Sequence, residues 1–158
     1  MPSIFEAIEL LKEASIAKPT IFRAPTFEEI ARAESQLGSP LPPAFKIFLA
    51  EAGSYQLPYL EIFWVGDDSL GYGNLIEANR SEREDVEPAL PPFLITFHNN
   101  GMGDQICFDT RFPRSDGEFP IVFWDHEQSA DQEIDPIAAC FADWFYDEAQ
   151  RVITQRDG

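Results

Sequence analysis

Apolar residues recur at the spacing of an α-helix in two stretches near the start of the chain, each preceded by a helix-starting signal. Ser3 and Glu6 form a capping-box pattern before the first stretch. Thr26 and Glu29 repeat that pattern before the second, and Gly38 is placed to end it. The apolar faces hold Ile4, Ile8 and Leu11 in the first stretch and Phe27, Ile30, Ala33 and Leu37 in the second. The pattern therefore predicts two capped amphipathic helices.

Three further helices are predicted from proline placement and periodicity. Residues 43–52 form the third helix, because proline is tolerated in a first helical turn. Residues 74–83 form a short fourth helix. Asp135 and Pro136 have the pattern of an N-cap followed by a first-turn proline, which predicts a long C-terminal helix. One face of that last helix would carry Ile137, Phe141, Trp144, Phe145 and Val152.

The hydrophobic pattern of the segments between these helices predicts strands. The side chains of residues 60–65 alternate between two faces as in a strand. Residues 93–97, 105–109 and 119–124 are short apolar runs. An Asn-Gly pair followed by another glycine in residues 99–104 suits a hairpin loop. Strict strand–helix–strand alternation is absent. The sequence therefore predicts an α+β fold, a largely antiparallel sheet flanked by N-terminal helices and a C-terminal helix.

Composition limits the class of protein. With 158 residues, 44% hydrophobic and 13% aromatic, the chain predicts a single domain over residues 1–158 and excludes a disordered tail. No apolar run is long enough to span a bilayer and the first residues do not read as a secretion signal, so we expect a cytoplasmic protein. Cys107 and Cys140 lie among apolar neighbours, which favours buried thiols over a disulfide or a zinc site.

Charge is the strongest compositional signal. The chain has 11 Lys and Arg against 28 Asp and Glu, a formal net charge of −17. No Lys or Arg occurs between Arg114 and Arg151. This balance argues against nucleic acid and against an anionic membrane as direct ligands. Two interpretations stay open, a solvated acidic surface and a surface that binds a basic partner.

Catalytic and metal chemistry have weak candidates. His98, Asp104, Asp125 and His126 offer the ligand types of zinc or non-haem iron, yet no His-x-His or His-Glu-x-x-His spacing is present. The alternative is a pair of strand-end histidines hydrogen-bonded to turns. Asp125 and Glu127 would share one face of a strand and suit acid–base work, but chance pairs are expected among 28 acids. We predict no catalytic residue, no metal and no cofactor.

The order of the pieces resembles the SUKH superfamily, which includes fungal cell-wall assembly regulators and bacterial immunity proteins. Residues 26–38 and the Leu-Pro helix at 41–49 are similar to its opening. Residues 100–109 are similar to its Gly-rich hairpin and following strand, and residues 120–127 to its Pro-Val-Val-Phe-Trp-Asp-His-Glu-like strand. The helix around Phe141 and Trp144 is similar to its closing helix. The resemblance covers about residues 24–148, and the loop after residue 52 departs from it by keeping a single glycine.

The resemblance implies a protein-binding domain without catalysis. Bacterial members typically neutralise toxins, often nucleases, by binding the toxin domain. We therefore expect an immunity protein that binds a basic cognate toxin, as a monomer or weak dimer. The alternatives are a regulatory scaffold of the cell-wall type and a small metal-dependent enzyme. The predicted contact residues are all acidic: Asp67, Asp68, Asp104, Asp125, Glu127, Asp131, Glu133 and Asp135.

Overall fold

The computed structural model describes residues 2–14, 23–52, 60–66 and 74–157. Within these ranges helices come first, an antiparallel sheet follows, and a helix closes the chain, which confirms the predicted α+β fold. The elements are α1 (Ile4–Ala14), α2 (Phe27–Leu37), α3 (Pro43–Glu51), α4 (Leu75–Glu84), β1 (Leu94–Asn99), β2 (Gln105–Asp109), β3 (Ile121–Trp124), β4 (Pro136–Ala138) and α5 (Phe141–Asp157). No helix in the described ranges is long and apolar enough to cross a membrane.

Local capping explains where the first helices begin and end. Ser3 Oγ accepts a hydrogen bond from the Glu6 backbone N–H at 3.2 Å, before α1. Thr26 and Glu29 make both hydrogen bonds of the predicted capping box before α2. Gly38 ends α2 with a φ of 81°, a left-handed conformation that glycine adopts without steric cost. These hydrogen bonds satisfy backbone groups that a helix end leaves without partners.

The sheet is a meander in which every neighbouring pair of strands is antiparallel, in the order β1-β2-β3-β4. Phe108 of β2 faces the main core, where its ring centroid lies 5.3 Å from that of Phe45 in α3 and 6.1 Å from that of Phe141 in α5. The other face carries a smaller buried cluster of Leu90, Leu94, Cys107, Val122 and Trp124. Cys107 and Cys140 are both buried and free, as predicted.

Both edges of the sheet are poor templates for adding another strand. Along β1, the Asn79 side chain donates to Thr96 O at 3.0 Å and accepts from Thr96 N at 2.9 Å, so that it takes the place of a neighbouring strand. On β4, Pro136 has no N–H and Ile137 is an extra residue in the register. Such features limit edge-to-edge pairing. The monomer or weak dimer stays a prediction.

The strand predicted at residues 60–65 is wrong. In the described residues 60–66, the chain makes isolated bridges at Ile62 and Trp64 instead of a continuous strand. The apolar side chains of this segment are buried whichever way they point: Leu60, Ile62, Phe63, Trp64 and Val65. The alternating pattern therefore did not mark one solvent face here, because Phe63 and Val65 are buried as well as Ile62 and Trp64, and only Glu61 of residues 60–65 is exposed.

Two apolar residues assigned to helix faces lie in solvent instead. Phe27 is 85% exposed, because burial in α2 begins only after its first turn. The predicted start of the last helix at Asp135 is also wrong: Pro136–Ala138 is the edge strand β4, Ile137 is 50% exposed, and α5 begins at Phe141. A proline before an apolar run fits an edge strand as well as a first helical turn, because neither position needs the backbone N–H that proline lacks.

Candidate partner-binding surface

The strand order brings two loops to one end of the sheet. Gln105, the first residue of β2, pairs with Trp124, the last of β3, and Asn99 at the end of β1 pairs with Gln105. The β1–β2 loop and the β3–β4 loop therefore emerge side by side. We call residues 99–104 and 125–135 the acidic end. The β2–β3 connection, residues 110–120, lies at the opposite end.

The β1–β2 loop is shaped by its own asparagines. Asn99 Oδ1 accepts from Gly101 N at 2.7 Å, and Asn100 Oδ1 accepts from the backbone N–H groups of Met102 and Asp104 at 2.9 and 3.2 Å. Such side-chain bonds to the backbone hold a turn without regular secondary structure. Met102 is 72% exposed at the tip. The predicted hairpin loop is confirmed, and its conformation is supported by these side-chain hydrogen bonds.

Asp104 and His126 join the two loops. Asp104 Oδ1 lies 2.7 Å from His126 Nδ1 and accepts from the His126 backbone N–H at 3.2 Å, while Asp104 Oδ2 accepts from Asn100 Nδ2 at 3.0 Å. A Cβ added to Gly103 would lie 3.1 Å from three atoms of the His126 ring, so the ring packs against that glycine. The bond to Asp104 raises the pKa of His126 against some desolvation. Desolvation opposes ionisation of Asp104, but the Asn100 and His126 bonds lower its pKa overall.

The β3–β4 loop is closed by Asp125 and Gln132. Asp125 Oδ1 accepts from Glu127 N at 2.9 Å, and Asp125 Oδ2 accepts from Gln128 Nε2 at 3.1 Å. Gln132 bonds both backbone groups of Asp125, accepting at 3.1 Å and donating at 2.9 Å. The prediction that Asp125 and Glu127 share a strand face is wrong, because β3 ends at Trp124 and the chain turns.

The predicted contact residues divide into three groups. Asp104 and Asp125 are partly buried; Asp104 joins the two loops, and Asp125 accepts hydrogen bonds within the β3–β4 loop. The exposed carboxylates of the β3–β4 loop are Glu127, Asp131, Glu133 and Asp135. Asp67 and Asp68 lie outside the described residues. Among the residues that the structure describes, no Lys or Arg forms a salt bridge with any carboxylate of the acidic end.

Sequence reasoning missed Glu82 of α4 as a neighbour of the acidic end. Its Oε1 accepts from Gln105 Nε2 at 2.8 Å, and burial raises its pKa while the charge of His126 opposes that rise. The chain separation is 23 residues between Glu82 and Gln105. No local sequence pattern predicts this contact, because it depends on how α4 packs against the sheet in the tertiary structure.

Of the four weak metal-ligand candidates weighed from the sequence, three lie close together in the structure and one lies apart. Asp104, Asp125 and His126 each place a ligand atom within 4.8 Å of the others. The carboxylate oxygens of Asp104 and Asp125 accept the loop hydrogen bonds described above, and the absence of a metal stays a prediction. His98 lies apart from them: its Nδ1 is 2.7 Å from Glu61 O, its ring packs on Trp144, and burial lowers its pKa. Both histidines are thus hydrogen-bonded structural groups.

The opposite end uses its acids differently. Asp109 holds Arg111 through two hydrogen bonds, at 3.0 and 2.9 Å, and Asp116 holds Arg114 at 2.6 Å. Glu118 is buried, and its Oε2 accepts from the backbone N–H of Ala44 at 2.9 Å, in the first turn of α3. Burial raises the pKa of Glu118. These carboxylates bind groups of the chain itself, although Glu118 does so through Oε2 alone: its Oε1 is buried without a hydrogen-bond partner.

Comparisons with known proteins match almost the whole length of the chain. A family model described as SUKH_5, SMI1-KNR4 cell-wall, matches residues 4–150. None of the proteins with curated descriptions matches the chain. A crystal structure of a protein from Pseudomonas syringae pv. tomato is similar, with a TM-score of 0.65 and 22% sequence identity, and the match covers 95% of this chain and 98% of that one. At this identity the likeness concerns the fold alone.

Proposed function

This chain belongs to the family described as SUKH_5, SMI1-KNR4 cell-wall, and from that membership we propose that it is a non-catalytic protein-binding domain that neutralises a cognate basic toxin in the bacterial cytoplasm. The observation that carries the proposal is the acidic end. It combines exposed carboxylates, no Lys or Arg in its sequence, and two loops fixed by internal hydrogen bonds.

An anionic surface of this kind acts first on the rate of encounter. Complementary charge can raise association rate constants to about 10⁸–10⁹ M⁻¹s⁻¹ at low salt. A toxin that cleaves nucleic acid must present cations to phosphate groups, and carboxylates can occupy those cations by charge-assisted hydrogen bonds. The prearranged loops reduce the entropy that binding must remove. The proposal is therefore blockade of a cationic site by direct occupation.

The test is rescue of growth when the chain is co-expressed with a neighbouring gene whose product alone arrests growth. We expect wild type to restore growth and the loop variant E127Q/D131N/E133Q to restore it poorly. The variant E6Q/E9Q/E13Q is the matched control, because it removes three exposed carboxylates from α1 instead. Failure of the wild-type protein to rescue, with both proteins folded, would overturn the proposal.

A regulatory scaffold is the second candidate, favoured by the cell-wall description of the family. A scaffold would use the same acidic end to hold several partners in turn. Affinity purification of the chain from its own cells distinguishes the two. Recovery of several wall-synthesis proteins that the E127Q/D131N/E133Q variant loses, together with no toxin, would favour the scaffold.

A further inference from the structure

His126 is the only basic side chain in the sequence of the acidic end. Asp104 on the β1–β2 loop is hydrogen-bonded to it, and Asp125 on the β3–β4 loop places an oxygen within 4.8 Å of a ring nitrogen. Glu127 on the β3–β4 loop and Glu82 on α4 interact with it electrostatically. We infer that a basic partner expels one proton from His126 when it binds the acidic end, so that binding is regulated by pH. This inference rests on the proposed function, since it concerns the same surface.

The geometry identifies which proton leaves. Asp104 is an ionised acceptor, so the ring nitrogen 2.7 Å from it, Nδ1, must carry a hydrogen. That hydrogen stays in both charge states, because neutral imidazole keeps one N–H. The labile proton is on Nε2, which has no hydrogen-bond partner among the described residues, in a side chain that is 43% exposed. Deprotonation therefore removes one positive charge and leaves the bond between the two loops in place.

The direction of the effect follows from the neighbouring charges. In the free protein the carboxylates hold the His126 pKa above its usual range. A bound cationic partner repels the imidazolium and lowers that pKa, and the proton passes to solvent. By linkage, affinity rises as pH increases through the His126 pKa. A drop of about half to one pKa unit on binding corresponds to an affinity change of about 3- to 10-fold between the two pH limits.

The experiment follows both histidines by NMR as pH is varied, with poly-L-lysine as the cationic probe. We expect His126 to titrate above the usual range and His98 below it, so that His98 is an internal control. Poly-L-lysine should lower the His126 pKa by about half to one unit and leave His98 unchanged. D104N should lower the His126 pKa in the free protein. In calorimetry, wild type should release protons on binding the probe at a pH near the His126 pKa, and H126Q should not.

Three results would overturn the inference: a His126 pKa at or below its usual value, no response to poly-L-lysine, or equal proton release from H126Q. None of these affects growth rescue, which tests the proposed function separately. Conversely, a His126 response without growth rescue would support proton-coupled binding and overturn the toxin assignment.

Discussion

Both ends of the sheet contain Asp and Glu side chains, but these side chains have different partners at the two ends. At the β2–β3 end, Asp109 and Asp116 are paired with arginines, and Glu118 caps α3. At the acidic end, the exposed carboxylates of the β3–β4 loop have no Lys or Arg contact among the described residues. The two loops there are held by Asp104 and Asp125 together with side-chain amides and His126. The carboxylates named at the β2–β3 end thus support the fold, whereas the acidic end also has four that are exposed to solvent: Glu127, Asp131, Glu133 and Asp135.

This difference indicates where a partner could gain most from binding. A carboxylate already paired with arginine must lose that partner before it can bind another. An exposed carboxylate without a cation partner has only water to displace, or at Asp131 water and the Ser129 hydroxyl. Surface pairs contribute little to stability, about 0–1 kcal/mol. Removing a presented charge should therefore affect binding more than folding, and removing a charge that caps a buried helix end should do the reverse.

The largest effect on stability is expected at Glu118. E118A leaves the Ala44 backbone N–H without its acceptor in a buried site, so we expect a loss of about 2 kcal/mol in the free energy of unfolding. E118Q keeps an acceptor oxygen and should lose less. Urea denaturation of both variants measures this. Equal stability of E118A and wild type would show that this end does not depend on its carboxylate.

A smaller, pH-dependent loss is expected for D104N. The raised His126 pKa means that the ion pair stabilises the folded state fully below the unfolded pKa, and that this contribution is lost as pH rises through the folded pKa. The difference in melting temperature between wild type and D104N should thus be larger at about pH 6 than at about pH 8.5. A difference that grows with pH would contradict the assigned interaction.

The loop variant E127Q/D131N/E133Q should hardly change stability. Its side chains are exposed, and their amide replacements keep the shape and an acceptor oxygen. We expect a change within about 0.5 kcal/mol by urea denaturation. A loss comparable with that of E118A would mean that the β3–β4 loop needs its charges to fold, and the contrast between the two ends would fail.

Chelation is expected to have no effect. Asp104 and Asp125 are occupied by hydrogen bonds from the chain, so EDTA should leave the melting temperature of the purified protein unchanged. Thermal denaturation with and without the chelator checks this. A clear decrease with EDTA that zinc or iron reverses would support a metal site in place of a hydrogen-bonded turn.

Sequence patterns predicted the elements whose signals are local. The capping box at Thr26, Gly38, the proline start of α3 and the hairpin loop at residues 99–104 all depend on neighbours within a few residues. The start of α5 was misplaced because a proline at 136 suits two kinds of element. The acidity of the β3–β4 loop could be predicted, because no Lys or Arg occurs between Arg114 and Arg151.

Contacts between residues that are far apart in the sequence could not be predicted. Glu118 and Ala44 are 74 residues apart, and Asp104 and His126 are 22 apart. Neither pair has a spacing that marks it, since each depends on how the strands align. The charge of the candidate surface could thus be predicted, but the way its loops are held could not.

The most direct measurement is the association rate of the chain with the toxin domain against which it restores growth, followed by stopped-flow from low salt to about 0.5 M sodium chloride. We expect the wild-type rate constant to fall steeply with salt. At low salt, E127Q/D131N/E133Q should associate about tenfold more slowly than wild type, while E6Q/E9Q/E13Q stays close to it. Rate constants that are independent of salt, or an equal loss in the two triple variants, would contradict the assignment of the acidic end as the binding surface.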